Sequence, residues 1–304
     1  MIRLGTRAST LALAQARSVA AALAGVEVGI VPMRTEGDRL AEARLAVVGG
    51  KGLFVREIEE ALLRGEIDVA AHSLKDLPAE SPPGLVLAAF SAREDPRDVL
   101  AAREPVTVPT LPPGARIGTS SPRRRALLLA LRPDLRVEPI RGNVDTRLRK
   151  LAAGDWDAIV LAAAGLRRLG LAPAHGEPLD PDVFVPAVGQ GIIAVQARAD
   201  DARTLALLAR VDDAATRVCA LAERAYLARL GASCATPMAA HARLDADALR
   251  MSAVVASEDG RHVLRASAAA PAAQAETLGR ALADTLLTRG AARITPLSPV
   301  GSTR

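Results

Sequence analysis

Asp68-Val69-Ala70-Ala71-His72-Ser73-Leu74-Lys75-Asp76-Leu77-Pro78 is the stretch around which the rest of the chain is organised. With Ile67, its first half is a short apolar run bounded by polar residues, which predicts a buried strand over 67–71. The second half gathers His, Ser, Lys and Asp and stops at Pro78, where a sheet would lose a hydrogen-bond donor. Open α/β sheets bind ligands outside the carboxyl ends of their strands, so a polar cluster at a strand end marks a candidate site. If the chain stays extended there, Ser73 and Lys75 share a face and Asp76 takes the other. On these residues alone, a surface loop with an incidental ion pair accounts for the cluster equally well.

The alternation on either side of this strand predicts the fold class. Strands over 2–6 and 26–32, a helix over 10–24 capped by Ser9 or Thr10, a helix over 54–64 and a strand over 84–90 make a β-α-β-α-β series. Between the first strands and that helix, Gly49, Gly50 and Gly52 surround Lys51 without the spacing of a P-loop. The composition shifts at Asp95-Pro96-Arg97-Asp98 and through the Pro-rich run 105–113, so a domain crossing is expected there. Alternation then restarts. Arg116-Ile-Gly-Thr is a strand, and Ser120-Ser121-Pro122 opens a helix beginning Arg123-Arg124-Arg125. Positive charge in a first turn opposes the helix dipole, which suggests either a docking anion or simply solvated arginines.

Strands over 135–140 and 156–161 likewise run into Arg141-Gly142-Asn143 and into Arg167-Arg168. Three such strand ends at equivalent positions would line one cleft with guanidinium groups, whose planar fork suits carboxylates and phosphates. Val183–Gly191 predicts a second crossing, leading into a strand over 192–197. A long helix over 213–230, strands over 239–243, 249–256 and 262–268 and a last helix over 271–289 suggest a small α/β domain. The expected division is 1–94 with 190–211, then 95–189, then 212–304.

Composition narrows the function classes. The 304 residues are 50% hydrophobic but only 2% aromatic, and the formal net charge of +5 favours anionic partners. Nearly all basic residues are Arg, which makes Lys51, Lys75 and Lys150 conspicuous. Cys219 and Cys234 offer neither a disulfide framework nor metal-ligand spacing, which fits a reducing compartment and no bound metal. Cys219 sits among apolar helical residues and reads as a small buried hydrophobe, whereas Cys234 lies in a Gly/Ser/Thr/Pro loop that can expose a thiol. No segment has the length of a membrane span, and the apolar run near the N-terminus is too short and interrupted for a signal peptide. A cytoplasmic location is expected.

Leu4-Gly-Thr-Arg7-Ala-Ser9, Val48-Gly-Gly-Lys51-Gly-Leu-Phe54, His72-Ser-Leu-Lys-Asp76, Arg93-Glu-Asp-Pro-Arg97-Asp98, Gly118-Thr-Ser-Ser121, Arg141-Gly-Asn143 and Pro186-Ala-Val-Gly-Gln190-Gly191 stand in this order. Together with the Cys234 loop they closely resemble the hydroxymethylbilane synthase (porphobilinogen deaminase) family, from residue 2 to about 240 and more loosely beyond. The resemblance implies an α/β fold: two doubly wound domains of type II periplasmic-binding-protein kind around a cleft, plus a small α/β C-terminal domain. It implies an enzyme that joins four porphobilinogen molecules head to tail on a covalent dipyrromethane cofactor, releasing ammonia and linear hydroxymethylbilane. It also implies a monomer, and the composition leads to the expectation of no nucleic-acid or membrane partner.

By that resemblance Cys234 matches the thioether anchor and Asp76 the catalytic carboxylate. Arg7, Ser73, Lys75, Thr119, Ser121, Arg123, Arg124, Arg141 and Arg147 match positions holding the cofactor. Arg7, Ser9, Gln15, Arg147, Arg168 and Gln190 match those holding substrate, and Lys51 falls in the glycine-rich segment beside the cleft. Thr10, Arg56, Pro122 and Asp145 depart from the family pattern. Asp145 either weakens the local positive field or orients an arginine.

Two other classes compete with this reading. A non-enzymatic binding module for a small polyanion would explain the sheets and arginines but leave Asp76, Cys234 and the last domain idle. Nucleic-acid binding would explain the charge, yet single-strand recognition relies on aromatic platforms that this chain almost lacks.

Overall fold

The computed structural model describes residues 1–34, 55–232 and 235–297. Lys51 and Cys234 lie outside the described residues. The rest divides into two compact units, Met1–Glu94 with Gly191–Arg217, and Asp95–Gln190 with Val218–Arg304.

In the first unit, strand β1 (Ile2–Arg7) is followed by helix α1 (Thr10–Ala22) and strand β2 (Val28–Met33). The Ser9 hydroxyl accepts from the Ala12 N–H at 3.3 Å and so caps α1. Ala12, Gln15, Ala16 and Val19 recur at helical spacing and form its buried face. Helix α2 (Arg56–Leu63) precedes β3 (Val69–Ser73), and β4 (Leu85–Phe90) follows. The sheet has the order β2-β1-β3-β10-β4, where β10 (Ile193–Arg198) is the strand after the second crossing. β1 runs parallel to β2 and β3, while β10 is antiparallel to both its neighbours. One apolar layer packs α1 on Leu4, Val69 and Ala71; the other packs α2 on Ile67 and Ala70. Asp68 is a clamp at the opposite end of the central strand from its polar cluster. Its carboxylate accepts from Arg3 N at 2.8 Å, Nε at 3.1 Å and Nη2 at 2.7 Å.

The second unit repeats the design. Its elements are β5 (Asp98–Ala102), β6 (Arg116–Gly118), α3 (Pro122–Leu131), β7 (Arg136–Glu138), α4 (Val144–Ala152), β8 (Ala158–Ala162), α5 (Ala163–Leu169) and β9 (His175–Pro178). The order β7-β6-β8-β5-β9 again has parallel strands broken by one reversed strand, β5. Each reversed strand is the first one after a crossing. Four of the five strands in each sheet therefore run in one direction and one is reversed. β5 is a departure from expectation, because its stretch reads as part of a linker when only Pro content is weighed.

Between the sheets the chain continues from β10 through α6 (Ala202–Leu208) into α7 (Ala214–Leu230). An antiparallel sheet β11 (Met238–Asp245), β12 (Ala248–Ala256), β13 (Val263–Pro271) follows, with α8 (Ala275–Thr288) and α9 (Ala291–Ile294). Ala239 and Val254 of this sheet join the same apolar cluster as Ile117, Leu127 and Phe184. Cys219 is buried in α7, as its apolar neighbours suggest.

Gly191 shows why the second crossing needs glycine. Its φ is +90°, and a Cβ there would lie 2.3 Å from the Glu94 carbonyl oxygen. The Glu94 N–H donates to that same glycine's carbonyl at 3.1 Å, so the two crossings touch within the first unit.

Candidate active site

β1 and β3 are parallel neighbours, so their carboxyl ends open on one edge of the first sheet. Arg7 ends β1, Ser9 caps α1, Gln15 lies on the buried face of that helix, and His72 and Ser73 end β3. With Asp76 these residues line one cavity. The Gln15 amide donates to Ser73 Oγ at 2.8 Å, and the buried Thr6 hydroxyl donates to the carbonyls of Ala12 and Ala71, both at 3.3 Å. These bonds lock α1 to the strand ends beneath the cavity.

The chain does not stay extended past Ser73. Leu74–Asp76 forms a 3-10 turn, with Leu74 buried as its anchor. A turn rather than a pleat therefore sets the directions of Lys75 and Asp76, and the alternating-face expectation is corrected. Asp76 is exposed on the cavity lining, whereas Lys75 is half-buried and lies outside it.

His72 had no role assigned from sequence, yet it is a polar wall of this cavity. Only 5% of it is exposed. Burial, helped by the nearby Arg7 charge, pushes its imidazole down to about 4, so it is neutral at pH 7. Among the described residues, Arg7 and Asp76 are left as the charged side chains lining the cavity.

The second unit has its own constellation. β6, β7 and β8 are parallel neighbours, so the three strand ends that lead into arginines do share an edge. Ser121 caps α3 by accepting from the Arg124 N–H at 3.4 Å, and the Ser121 N–H donates to Thr119 Oγ1 at 3.2 Å. Arg123 and Arg124 are neither solvated nor pointing outward. Both are buried and turn onto Asp98, which is fully buried at the start of β5. Arg123 Nη1 reaches Asp98 Oδ2 at 2.7 Å and the Val185 carbonyl at 2.8 Å. Arg124 Nε donates to Asp98 Oδ1 at 2.9 Å, and its Nη1 to the Val160 carbonyl at 2.9 Å.

Gln190, almost fully buried, donates from Nε2 to the Pro96 carbonyl at 2.7 Å and to Asp98 Oδ1 at 3.1 Å. Burial alone would raise the Asp98 carboxyl, but the two guanidinium charges hold it well below the usual carboxylate range. Asp98 is the residue that sequence reasoning left without a role. The available signal was an acid opening an apolar strand, Asp98-Val-Leu-Ala-Ala, which demands a buried partner.

The remaining arginines differ among themselves. Arg147 is half-buried, donates from Nε to the Gly142 carbonyl at 2.8 Å, and is pushed down to about 10 by burial and then by the Arg124 charge. Arg141 is exposed and Arg168 half-buried. Asp145 faces Arg149 at 3.5 Å across one turn of α4, in the first turn where an acid complements the helix dipole. Arg56 pairs loosely with Glu60 at 3.9 Å on the exposed face of α2.

The family model described as "Porphobilinogen deaminase, dipyromethane cofactor binding domain" matches residues 2–206, and the one described as the C-terminal domain of porphobilinogen deaminase matches residues 217–288. The chain belongs to the porphobilinogen deaminase family. It is 51% identical to the porphobilinogen deaminase of Syntrophotalea carbinolica, covering 98% of each chain, and 52% identical to that of Roseiflexus sp., covering 94% of this chain and 96% of the relative. Among solved structures, the periplasmic VFT2 domain of Bordetella pertussis BvgS covers 69% of this chain at 17% identity and a TM-score of 0.40. In the chain itself, the α/β fold consists of two five-stranded mixed sheets of matching design and a smaller three-stranded antiparallel sheet. Among the described residues, no helix is long and apolar enough to cross a membrane.

Proposed function

We propose that this chain condenses four porphobilinogen molecules head to tail into linear hydroxymethylbilane, with Asp76 as the catalytic carboxylate. The observation that carries this reading is the cavity that Asp76 shares with Arg7, Gln15 and Ser73. A pyrrole with acidic side chains needs cationic and neutral donors for its carboxylates and one fixed negative charge for its ring N–H, and this cavity offers both.

The same donor set fits the dipyrromethane cofactor. When bound, that group supplies the pyrrole primer whose free α-carbon takes the incoming unit. In the second unit, Thr119, Ser121, Arg141 and Arg147 offer donors to carboxylates, and Arg123 adds a buried Nε with no hydrogen-bond partner among the described residues. Cys234 is assigned the thioether anchor, since a thiolate is a strong carbon nucleophile and a thioether does not exchange with cellular thiols. Ser9, Arg168 and Gln190 complete the assigned substrate set, with Lys75 in support, and Lys51 belongs to the glycine-rich segment of the sequence.

The porphobilinogen ammonium leaves as ammonia, taking the C–N bonding pair, and positive charge develops over the pyrrole ring. Asp76 stabilises that charge electrostatically. After the new C–C bond forms, a proton is lost from the ring carbon that was attacked, and Asp76 is positioned to accept it. Neutral His72 adds no charge to oppose the cation. Arg7, with Gln15 and Ser73, orients the substrate through its carboxylates by charge-assisted and neutral hydrogen bonds.

The reading includes a monomer in the cytoplasm and a three-domain division at 1–94 with 190–211, 95–189 and 212–304. The gap between the two matched family models, after 206 and before 217, supports the last boundary.

The test is the intact mass of the purified protein after porphobilinogen is added, beside Cys234→Ser. Added mass equal to two linked pyrrole units in the wild type, absent in the variant, is expected. The same increment in both would move the anchor elsewhere, and no increment in the wild type would overturn the reading.

A further inference from the structure

The buried Asp98 cluster has a charge balance that a simple anion clamp would not need. Two guanidinium groups, Arg123 and Arg124, share one carboxylate, and all three side chains are buried. A site built only to hold anions as tightly as possible would leave both cations uncompensated. A site built only for packing would use an apolar core, since buried ion pairs add little net stability over hydrophobic residues of the same shape.

Asp98 is instead saturated: Oδ2 takes Arg123 Nη1, and Oδ1 takes Arg124 Nε and Gln190 Nε2. The carbonyls of Val185 and Val160 fix the same two guanidinium groups from other directions. Among the described residues, Arg123 Nε nevertheless stays buried without a hydrogen-bond partner, so the cluster keeps an unused donor as well as a net positive charge of one. The Arg124 charge is felt by Arg147, which places the cluster's field at the strand edge where the other arginines stand.

We propose that Asp98 is a positioning residue that moderates retention of the growing polyanion: it orients Arg123 and Arg124 and cancels one of their two charges, so that acidic chains are held but released. The proposal rests on the condensing activity assigned above. Each added pyrrole brings two carboxylates, so the ligand's charge rises with every addition while the protein's stays constant. Without a built-in counter-charge, retention would grow until product left too slowly. Asp98 supplies that counter-charge from inside the fold, where salt screens it little.

The test is a charge series in the full-length, cofactor-loaded protein. Asp98→Asn keeps the shape and raises the cluster from one net positive charge to two. Arg124→Gln lowers it to zero, and the double variant Asp98→Asn/Arg124→Gln returns it to one. Each is given limiting porphobilinogen, and intact mass is read over time with kcat and KM, at low and high salt.

Asp98→Asn is expected to lower KM and kcat together, KM by about tenfold, in the range of a charged hydrogen bond gained. It should also shift the mass distribution towards species carrying more pyrrole units, less so at high salt. Arg124→Gln should do the reverse, and the double variant should retain more pyrrole mass than Arg124→Gln alone and less than Asp98→Asn alone. If Asp98→Asn is too unstable to purify, recovery by the double variant relative to Arg124→Gln decides the question. Retention that does not follow the net charge overturns the proposal. Wild-type protein that never gains pyrrole mass overturns the underlying activity instead.

Discussion

Replacing Asp76 by Asn removes one charge and almost no volume, and its cost follows from what else lines the cavity. Two unit charges about 4 Å apart interact by roughly 4 kcal/mol at an effective dielectric of about 20, and by roughly 1 kcal/mol in bulk water. Asp76 is exposed in the unliganded protein, but a pyrrole seated against it displaces water from its inner side. The relevant value therefore lies towards the upper figure at the moment charge develops. A loss of about 3–4 kcal/mol corresponds to a kcat decrease of roughly 200- to 1,000-fold.

Among the described residues, no other group lining the cavity can substitute. His72 is neutral, held down to about 4 by burial and by Arg7, and Arg7 carries the wrong sign. Because the lost interaction matters only when positive charge forms, KM should change little. Initial rates of product formation across a porphobilinogen series, with circular dichroism to show an intact fold, would measure both parameters. An Asp76→Asn variant within tenfold of wild-type kcat, or one that raises KM at constant kcat, would refute the electrostatic role.

Two further outcomes concern the scaffold. Gly279 of α8 faces α7 so closely that a Cβ would sit 2.0 Å from the Ala222 carbonyl oxygen; Gly279→Ala should cost about 3 kcal/mol or more through overpacking, seen as a lower thermal midpoint. The Asp98 carboxyl is depressed in the folded protein, so its contribution to stability is present above the unfolded value of about 3.9 and is lost as pH falls below it. Urea unfolding of the wild type should therefore weaken below about pH 4, and the Asp98→Asn protein should show a shallower acid dependence; equal slopes would contradict the assignment.

Much of the fold was legible because alternation of apolar strands with capped helices is a local signal. Ser9, Ser121 and Pro122 mark helix starts, and the structure uses them that way. What local pattern cannot carry is strand direction. β5 and β10 are reversed because each enters its sheet from a crossing, and that depends on chain connectivity across about ninety residues rather than on any residue in the strand. β5 was hidden for a related reason. Its opening Asp98 resembles a linker residue until the partners that neutralise it are in view.

The site shows the same division more sharply. Arg7, Ser9, Gln15, Ser73 and Asp76 could be named from motifs, and they meet around one cavity because parallel strands deliver their ends to one edge. Arg123 and Arg124 could be named too, but a first-turn arginine read from sequence has two opposite fates. It can extend to a ligand, or fold back to a buried acid. The choice is made by a carboxylate about 25 residues earlier, brought alongside only when β5 pairs with β8.

Gln190 follows from that choice. Its amide nitrogen donates both to Asp98 and to the Pro96 carbonyl, so the residue that a motif assigns to substrate also joins the two chain crossings inside the second unit. Removing the Gln190 amide therefore perturbs Asp98, then the two guanidinium groups, and only then any ligand they hold. A loss of activity in such a variant says nothing about direct contact unless the charge series at Asp98 and Arg124 has first shown how far that indirect route reaches.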